Sequence, residues 1–321
     1  MPLVIGVFLA PESPWWLIRQ GRPEDAKKAL LRLTSKGDPT FNADETIAMM
    51  SYTNQIEKQM SEGSTYRDCF RGVDFRRTEV ACLTWLCQAM CGSSLQGFST
   101  YFYKQAGLTD TGAFDLSLGQ YGIGIFGTLA SWFLMNYFGR RTLYVGGLCV
   151  QFVLLMVVGF VSLAPATISR GWGIGSLLII STFVYDGTIG PVCYAIVAEI
   201  SSTRLKGKTI VLARNLYNVG GIINNILTNY MLTPKPSGWA WDAKSGFFYG
   251  GLCFLCIVWT YFRLPEANGR SYAELDILFE RKIPARQFSQ TSVDLFNPSD
   301  LEVEKEKAPQ VIQREELSGE K

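Results

Sequence analysis

The chain has 321 residues and a net charge of +2, with 48% hydrophobic and only 18% charged residues. This composition is too apolar for an average soluble domain, and the near-neutral charge gives no reason to expect a nucleic acid or an acidic partner. The apolar residues fall in long blocks, which is typical of a protein that crosses a membrane several times.

The first segment in chain order, 1–14, carries an apolar run that is too short to span a membrane. It lacks the Lys or Arg that precedes the apolar run of a secretory signal peptide. We therefore interpret this segment as the end of a truncated membrane helix.

A polar segment, 15–78, follows this predicted stub of a helix at 1–14. Two stretches in the segment, 23–34 and 43–62, have a helical pattern. Pro23 suits the first turn of a helix, and the two acidic residues after it favour the positive end of the helix dipole. The sequence therefore predicts a linker with two helices of its own.

Six apolar blocks come next, each bounded by charges, Pro/Gly clusters or polar turns. About 20 apolar residues cross a bilayer as a helix, because a helix satisfies all its backbone groups within one segment. We predict spanning helices at 79–102, 116–138, 143–164, 173–198, 209–232 and 245–262.

The basic residues predict the orientation of these spans. Few of the 30 Lys and Arg residues lie in the connections after the first, third and fifth spans, namely Lys104, Arg170, Lys235 and Lys244. The positive-inside rule then places the linker and both termini in the cytoplasm. The segment 263–321 is predicted to be a cytoplasmic tail, disordered from about residue 289 because it is rich in Ser, Glu and Lys.

Most of the 8 cysteines lie inside the predicted spans and none in a predicted extracellular loop, so we expect no disulfide. Cys253 and Cys256 are interpreted as small packing residues of the last span rather than a redox pair. The chain has no histidine and no acidic cluster, so we expect no metal and no cofactor.

Two motifs near the predicted linker and the second span resemble signatures of sugar porters. The sequence Pro-Glu-Ser-Pro-Trp-Trp-Leu at 11–17 resembles the Pro-Glu-Ser-Pro-Arg-Trp-Leu signature that closes helix six, with Trp15 in place of Arg. Gly139-Arg140-Arg141 resembles the tight Gly-Arg-Arg turn between helices eight and nine.

Two further motifs agree with these in order and spacing. Glu199, followed by Arg204 and Lys206, resembles the Glu-x(4)-Arg-x-Arg pattern after helix ten, and Pro-Glu-Ala-Asn-Gly-Arg at 265–270 resembles the signature after helix twelve. Together the four motifs resemble those of the sugar porters of the major facilitator superfamily.

Three stretches, 97–103, 208–215 and 243–248, are similar to the fungal α-glucoside (maltose-type) permeases. That family has twelve helices, so the resemblance implies an all-α membrane protein, the C-terminal six-helix half of a transporter with its cytoplasmic helical linker. It also implies proton symport of an α-glucoside by alternating access, a plasma-membrane location and an N-terminal half that is missing from this chain.

The first span carries part of the family's Gln-Gln-x-x-Gly-x-Asn sugar motif. Gln88 and Gly92 match it, while Ala89 and Ser94 replace its second Gln and its Asn. Gln96 lies eight residues after Gln88, so a continuous helix would place both side chains near one face. We expect Gln88, Ser94 and Gln96 to contact sugar; the alternative for Gln88 is a hydrogen bond that bridges helices.

In the fourth span, the sequence at 190–194 resembles the family's Gly-Pro-x-Pro-Trp, which makes Tyr194 the aligned sugar-covering aromatic. Pro191 interrupts helical hydrogen bonding there. Asp186 is the carboxylate deep within the predicted spans, where a charge is costly unless it faces water or a partner. We expect Asp186 to bind a sugar hydroxyl or to tune proton coupling; the alternative is a salt bridge to Arg214 or another helix.

The fifth span contains several asparagines where the family has a sugar-facing Asn. We favour Asn218 and leave Asn224 open.

Five charged residues at the predicted cytoplasmic ends form a candidate gate: Arg140, Arg141, Glu199, Arg204 and Glu266. The resemblance implies that Glu199 pairs with Arg140 or Arg141 to latch the outward-facing state. The positive-inside rule alone is the alternative explanation for the two arginines.

The function that this sequence favours is sugar transport, although a half transporter is not expected to transport alone. A transporter-derived sugar sensor is the alternative. A membrane enzyme would need a nucleophile, a metal or an acid/base pair, and the predicted spans offer only Asp186. We therefore expect no catalytic residues.

Overall fold

The computed structural model describes residues 10–34, 42–61, 65–165, 167–202, 204–270, 272–288 and 291. These residues form helices and turns and contain no β-strand. Most of the predicted stub at 1–14 and of the predicted disordered tail lies outside the described residues. The chain divides into two compact units, one of residues 1–64 with 307–321 and one of residues 65–306.

The described residues of the first unit form the helices α1 (Pro14–Arg19), α2 (Pro23–Leu33) and α3 (Ala43–Ser61). Pro23 occupies the first turn of α2, as predicted, with acidic residues beside it. Lys27 of α2 forms an ion pair with Asp44 of α3 at 2.5 Å. A small apolar core joins the helices and consists of Leu17, Ile18, Ala26, Ala29, Ile47 and Met50.

The second unit is a helical bundle, which agrees with the predicted all-α class. A π-helical turn, Tyr185–Ile189, joins its helices α9 and α10. The helices are α4 (Gly72–Met90), α5 (Ser93–Gly97), α6 (Ser99–Gln105), α7 (Asp110–Tyr137), α8 (Arg140–Val161), α9 (Ile168–Val184), α10 (Gly190–Ile200), α11 (Lys206–Leu232), α12 (Ser245–Arg263) and α13 (Tyr272–Glu280).

Within the described residues, three helices are long and apolar enough to cross a membrane, at Arg140–Val161, Ile168–Ile200 and Asp242–Arg263. They correspond to the predicted third, fourth and sixth spans. The helices at the predicted second and fifth spans, α7 and α11, have 28 and 27 residues and are long enough to span, but they carry more polar residues.

The predicted continuous helix at 79–102 is wrong, because this region forms the three separate helices α4, α5 and α6. The first break lies at Gly92, whose φ of 91° is in the left-handed region. A Cβ at Gly92 would also lie 2.8 Å from the Leu155 side chain. Gln88 and Gln96 therefore lie on different helices, and the prediction that they share one helix face does not hold.

The bundle is held together by close helix contacts, chiefly of α4 with α11 and of α8 with α12. A Cβ at Gly246 of α12 would lie 2.8 Å from the backbone oxygen of Leu155 on α8, so these backbones approach closely. Cys253 is buried in the same interface and donates its thiol to the Leu148 carbonyl at 3.4 Å. This position agrees with its interpretation as a packing residue.

Candidate functional site

One side of α11 carries two exposed stripes of opposite character. Arg214, Asn218 and Asn225 are all exposed, and their spacing of four and seven residues places them on one helix face. The neighbouring exposed stripe is apolar and consists of Val219, Ile222, Ile223, Ile226 and Tyr230. The apolar stripe suits lipid, whereas the first suits water or a polar ligand.

Tyr194 of α10 lies beside the polar stripe and is held there by contacts with Arg214 and Trp85. The Arg214 guanidinium donates to the Tyr194 hydroxyl at 3.1 Å. The Tyr194 ring meets the Trp85 ring edge-on at 5.5 Å, and Arg214 lies 5.5 Å from Trp85 and 4.7 Å from the ring of Tyr217. Cation–π contacts of this kind fix a guanidinium in place.

This arrangement leaves Tyr194 able to contact a ligand. Its side chain is 51% exposed, and its hydroxyl accepts from Arg214 while keeping its own proton to donate. An aromatic face next to neutral amides is the combination that a sugar ring with its hydroxyl groups requires. We call Tyr194, Arg214, Asn218 and Asn225 the open face.

Asp186 lies in the π-helical turn before Pro191, where the sequence predicted an interruption of the helix. Turns of this type occur often at functional sites. The carboxylate is half-buried against α7 and comes close to Gly124, where a Cβ would collide with it. A Cβ at Gly127 would lie 2.8 Å from the Phe183 carbonyl oxygen and 3.2 Å from the Asp186 Cβ. Two glycines on α7 therefore make room for Asp186.

The predicted alternative for Asp186, a salt bridge to Arg214, is wrong. Among the described residues, the Asp186 carboxylate has no ion pair and no hydrogen bond, and Arg214 is bound to Tyr194 instead. A half-buried carboxylate without a protein partner can accept a hydrogen bond from a ligand or bind a proton.

The three residues of the first predicted span that we expected to contact sugar, Gln88, Ser94 and Gln96, are buried or half-buried. Gln88 is 5% exposed, and its Oε1 has no hydrogen-bond partner among the described residues. Ser94 is half-buried beside Tyr249. Gln96 is 7% exposed and donates to the Ser181 hydroxyl at 2.8 Å. Side chains of other elements also lie beside Gln88 and Ser94, namely Tyr185 and Tyr249.

Gln96 belongs to a chain of buried hydrogen bonds between helices, which we call the interior network. Gln151 of α8 also donates to Ser181, at 2.7 Å. Gln120 of α7 accepts from the Tyr103 hydroxyl at 2.7 Å and donates to Thr182 at 2.7 Å and to the Gln96 carbonyl at 3.4 Å. The interior network consists of Gln96, Tyr103, Gln120, Gln151, Ser181 and Thr182.

Sequence reasoning missed most of the interior network, although a signal was available. Gln120 and Gln151 are large polar residues within apolar segments, where a polar side chain needs a hydrogen-bond partner on a neighbouring helix. The two candidate asparagines of α11 also separate: Asn224 is buried and donates to the Ala89 carbonyl at 2.9 Å, whereas Asn218 is exposed.

The predicted gate residues meet at one end of the bundle. Arg140 forms an ion pair with Glu199 at 3.1 Å and a hydrogen bond with Asn268. Arg141 does not pair with Glu199; its guanidinium donates to the Tyr261 carbonyl at 2.9 Å. Arg204 pairs with Asp74 at 3.5 Å.

Glu266 binds the start of α8 rather than a side-chain cation. Its carboxylate accepts from the backbone N–H of Arg141 at 3.2 Å, where the positive end of the helix dipole favours an anion. A Cβ at Gly139 would collide with this carboxylate, so the Gly of the Gly-Arg-Arg turn is required for the contact.

An apolar helical bundle with a polar face on one side and charge pairs at one end has the architecture of a membrane transport protein. The chain belongs to the sugar (and other) transporter family, whose model matches residues 1–279. Because this is a family of transporters, membership agrees with the expectation that the chain is not an enzyme.

Curated relatives from Saccharomyces cerevisiae support this assignment. The chain is 42% identical over 299 residues to maltose permease MAL61 and 44% identical over 298 residues to a general alpha-glucoside permease. Each alignment covers 92% of this chain and 48% of the relative. The chain therefore spans about half the length of the curated relatives it matches.

Solved structures show the same fold. The proton:xylose symporter XylE bound to 6-bromo-6-deoxy-D-glucose matches with a TM-score of 0.60 and 20% identity, over 86% of this chain and 56% of that one. The inward-open xylose transporter XylE from E. coli matches with a TM-score of 0.57 and 18% identity, over 85% and 53%. The part of this chain that aligns therefore shares the fold of these transporters.

Proposed function

We propose that the bundle crosses the membrane six times, through α4 to α6, α7, α8, α9 to α10, α11 and α12. Three of these segments meet the length and composition of a span, and α7 and α11 have the required length. The distribution of basic residues supports a cytoplasmic side for both termini, and the plasma membrane is the proposed location.

The proposed function is transport of an α-glucoside of the maltose type, coupled to a proton. The observation that carries it is the open face, where the half-exposed Tyr194 is held by Arg214 next to exposed asparagines. The permeases named above support the substrate class. They also favour transport over a sugar sensor, and no feature of the described residues favours the sensor.

We assign the sugar contacts to Gln88, Ser94, Asp186, Tyr194 and Asn218. Gln88 and Asp186 have polar atoms without a protein partner, and Tyr194 and Asn218 are exposed. Gln96 is reassigned to the interior network because its side chain is already bound to Ser181. Asp186 is also the proposed proton-linked carboxylate within this chain.

Alternating access needs two halves, and sugar sites in such folds lie between them. The chain spans about half the length of its curated relatives. We therefore propose that it acts together with a segment equivalent to the other half of those relatives, and that alone it does not accumulate sugar.

The test is labelled maltose uptake in cells without maltose transport. Co-expression of this chain with the first half of a S. cerevisiae maltose permease is expected to give uptake, and either part alone to give none. Tyr194→Phe should weaken the uptake, whereas Tyr230→Phe on the apolar stripe is the matched control and should not. Robust accumulation by this chain alone, or no uptake with both parts, would contradict the proposal.

The charge pairs at the end of the bundle are the proposed cytoplasmic latch of the outward-facing state. Arg140 and Glu199 carry it, and Arg141, Arg204 and Glu266 fix the helix ends around them. In the co-expression assay, Arg140→Glu should abolish uptake, and adding Glu199→Arg should restore part of it. No recovery in the double variant would count against a latch made by this pair.

A further inference from the structure

A cavity lies at the start of α4 and the end of α12, and none of its described lining residues belongs to the open face. Its volume is about 390 Å³, which is within the range of small-ligand sites. Residues that follow α13 close its third side. Its lining includes Gly72, Val73, Arg76, Phe262, Arg263 and Lys282.

Among the described residues, the lining of the cavity includes three cations and no carboxylate. Arg263 is neutralised by Glu79, which it binds through two nitrogens. Arg76 and Lys282 have no ion pair with a carboxylate of the described residues. The cavity therefore carries a surplus of positive charge.

The Arg76 guanidinium is held in place by the fold. It donates to the Ile283 carbonyl at 2.7 Å and lies 5.3 Å from the Phe279 ring. For Lys282 it is the backbone that is fixed: its φ is 54°, its N–H donates to the Phe279 carbonyl at the end of α13, and the Ile283 N–H donates to the Leu278 carbonyl. A fixed cation such as Arg76 loses little freedom when an anion binds to it.

The cavity also has an exposed apolar side. Phe262 is 57% exposed at the end of α12, a helix that is long and apolar enough to span. Cations next to an exposed apolar side chain at the end of a spanning helix suit a lipid headgroup together with the first part of its acyl chains.

We propose that this cavity binds a phosphate monoester, supplied by a phosphorylated lipid headgroup. Arg76 and Lys282 bind the phosphate oxygens, and Phe262 contacts the apolar part of the lipid. This site is separate from the proposed sugar site, and its binding assay does not depend on transport.

The test is calorimetric titration of the full chain in phosphatidylcholine nanodiscs with dioctanoyl phosphatidylinositol 4-phosphate. Lys282→Gln should weaken binding roughly fivefold, the usual contribution of one basic residue near an anionic headgroup. Lys282→Arg should restore it. Lys235→Gln, an exposed lysine outside the cavity, is the matched control and should bind like the unchanged protein.

Two comparison ligands separate the sources of phosphate. Dioctanoyl phosphatidylcholine should not compete, because it lacks the monoester. Inositol 1,4-bisphosphate, which has no acyl chains, should bind more weakly than the phosphorylated lipid. If it bound as tightly as the lipid and with the same dependence on Lys282, the result would support the phosphate site and identify a soluble ligand. Equal affinity of the unchanged protein and Lys282→Gln for the phosphorylated lipid would overturn the proposal.

Discussion

The interior network and the open face use similar residue types for opposite purposes. In the interior network, Gln120 binds side chains or backbone on three other parts of the bundle, so its hydrogen-bonding capacity is used within the protein. On the open face, Asn218 is exposed, and Tyr194 keeps a free donor. The comparison shows that the role of a polar residue within a membrane bundle, whether structural or ligand-binding, follows from its hydrogen-bond partners and not from its residue type.

The region around Asp186 is intermediate between these two. The carboxylate is half-buried like a network residue, yet it has no protein partner among the described residues, like a ligand-facing group. Its close contact with Gly124 and Gly127 means that Asp186 fits only beside residues without a Cβ, and its carboxylate oxygens remain available to a ligand or a proton. Substitutions can separate the effect of packing from the effect of the carboxylate.

The largest effect is expected for Gly127→Ala. The new methyl group would lie 2.8 Å from the Phe183 carbonyl oxygen, so α7 and α9 must move apart. Overpacking against backbone should cost about 3 kcal/mol of unfolding free energy, the upper part of the usual range. The measurement is denaturant or thermal unfolding of the purified chain.

Gly122→Ala is the matched control on the same helix. A Cβ there has no neighbour within 4 Å, so the stability should stay equal or rise by up to about 1 kcal/mol because Ala favours helix. Equal destabilisation by the two variants would show that the contact of α7 with the Asp186 region is not tight.

A smaller loss of stability is expected for Gln120→Leu. The variant removes three hydrogen bonds, which in membrane bundles contribute roughly 0.6 kcal/mol each, so the loss should be about 2 kcal/mol. Asn218→Leu on the open face is the control and should change the stability by less than about 0.5 kcal/mol. If Asn218→Leu lost more unfolding free energy than Gln120→Leu, the division into interior network and open face would be wrong.

Asp186→Asn should change function more than stability. Since the carboxylate has no ion pair to lose, the unfolding free energy should change by less than about 0.5 kcal/mol. Loss of a charged acceptor should weaken apparent maltose affinity about tenfold in the co-expression assay. A collapse of expression that Arg214→Gln rescues would instead reveal a salt bridge between the two residues.

The sequence predicted the fold class and the positions of most helices, because long apolar blocks and helix-start residues are local signals. It did not predict the break at Gly92. A Cβ at Gly92 would lie 2.8 Å from the Leu155 side chain, more than sixty positions away in the chain, so the need for a glycine there depends on tertiary packing. A glycine in an apolar block looks the same in the sequence whether or not the helix is broken there.

The candidate site was predictable as a set of residue types but not as a set of contacts. Tyr194, Asn218 and Asp186 were identified from motifs and from their depth in predicted spans. Whether Arg214 binds Asp186 or Tyr194, and whether Gln96 faces a ligand or Ser181, is decided by helix packing. Sequence spacing along one helix carries no information about which neighbouring helix lies opposite.

The most direct test of this division compares two tyrosines that each lose one hydroxyl. Tyr103→Phe removes a buried donor to Gln120, whereas Tyr194→Phe removes the exposed hydroxyl that Arg214 holds. In the co-expressed protein, both the melting temperature and the apparent maltose affinity are measured. Tyr103→Phe should lower the melting temperature and leave the affinity unchanged, and Tyr194→Phe should weaken the affinity and leave the melting temperature unchanged. If both variants changed the melting temperature and the apparent maltose affinity in the same way, the division into interior network and open face would be contradicted.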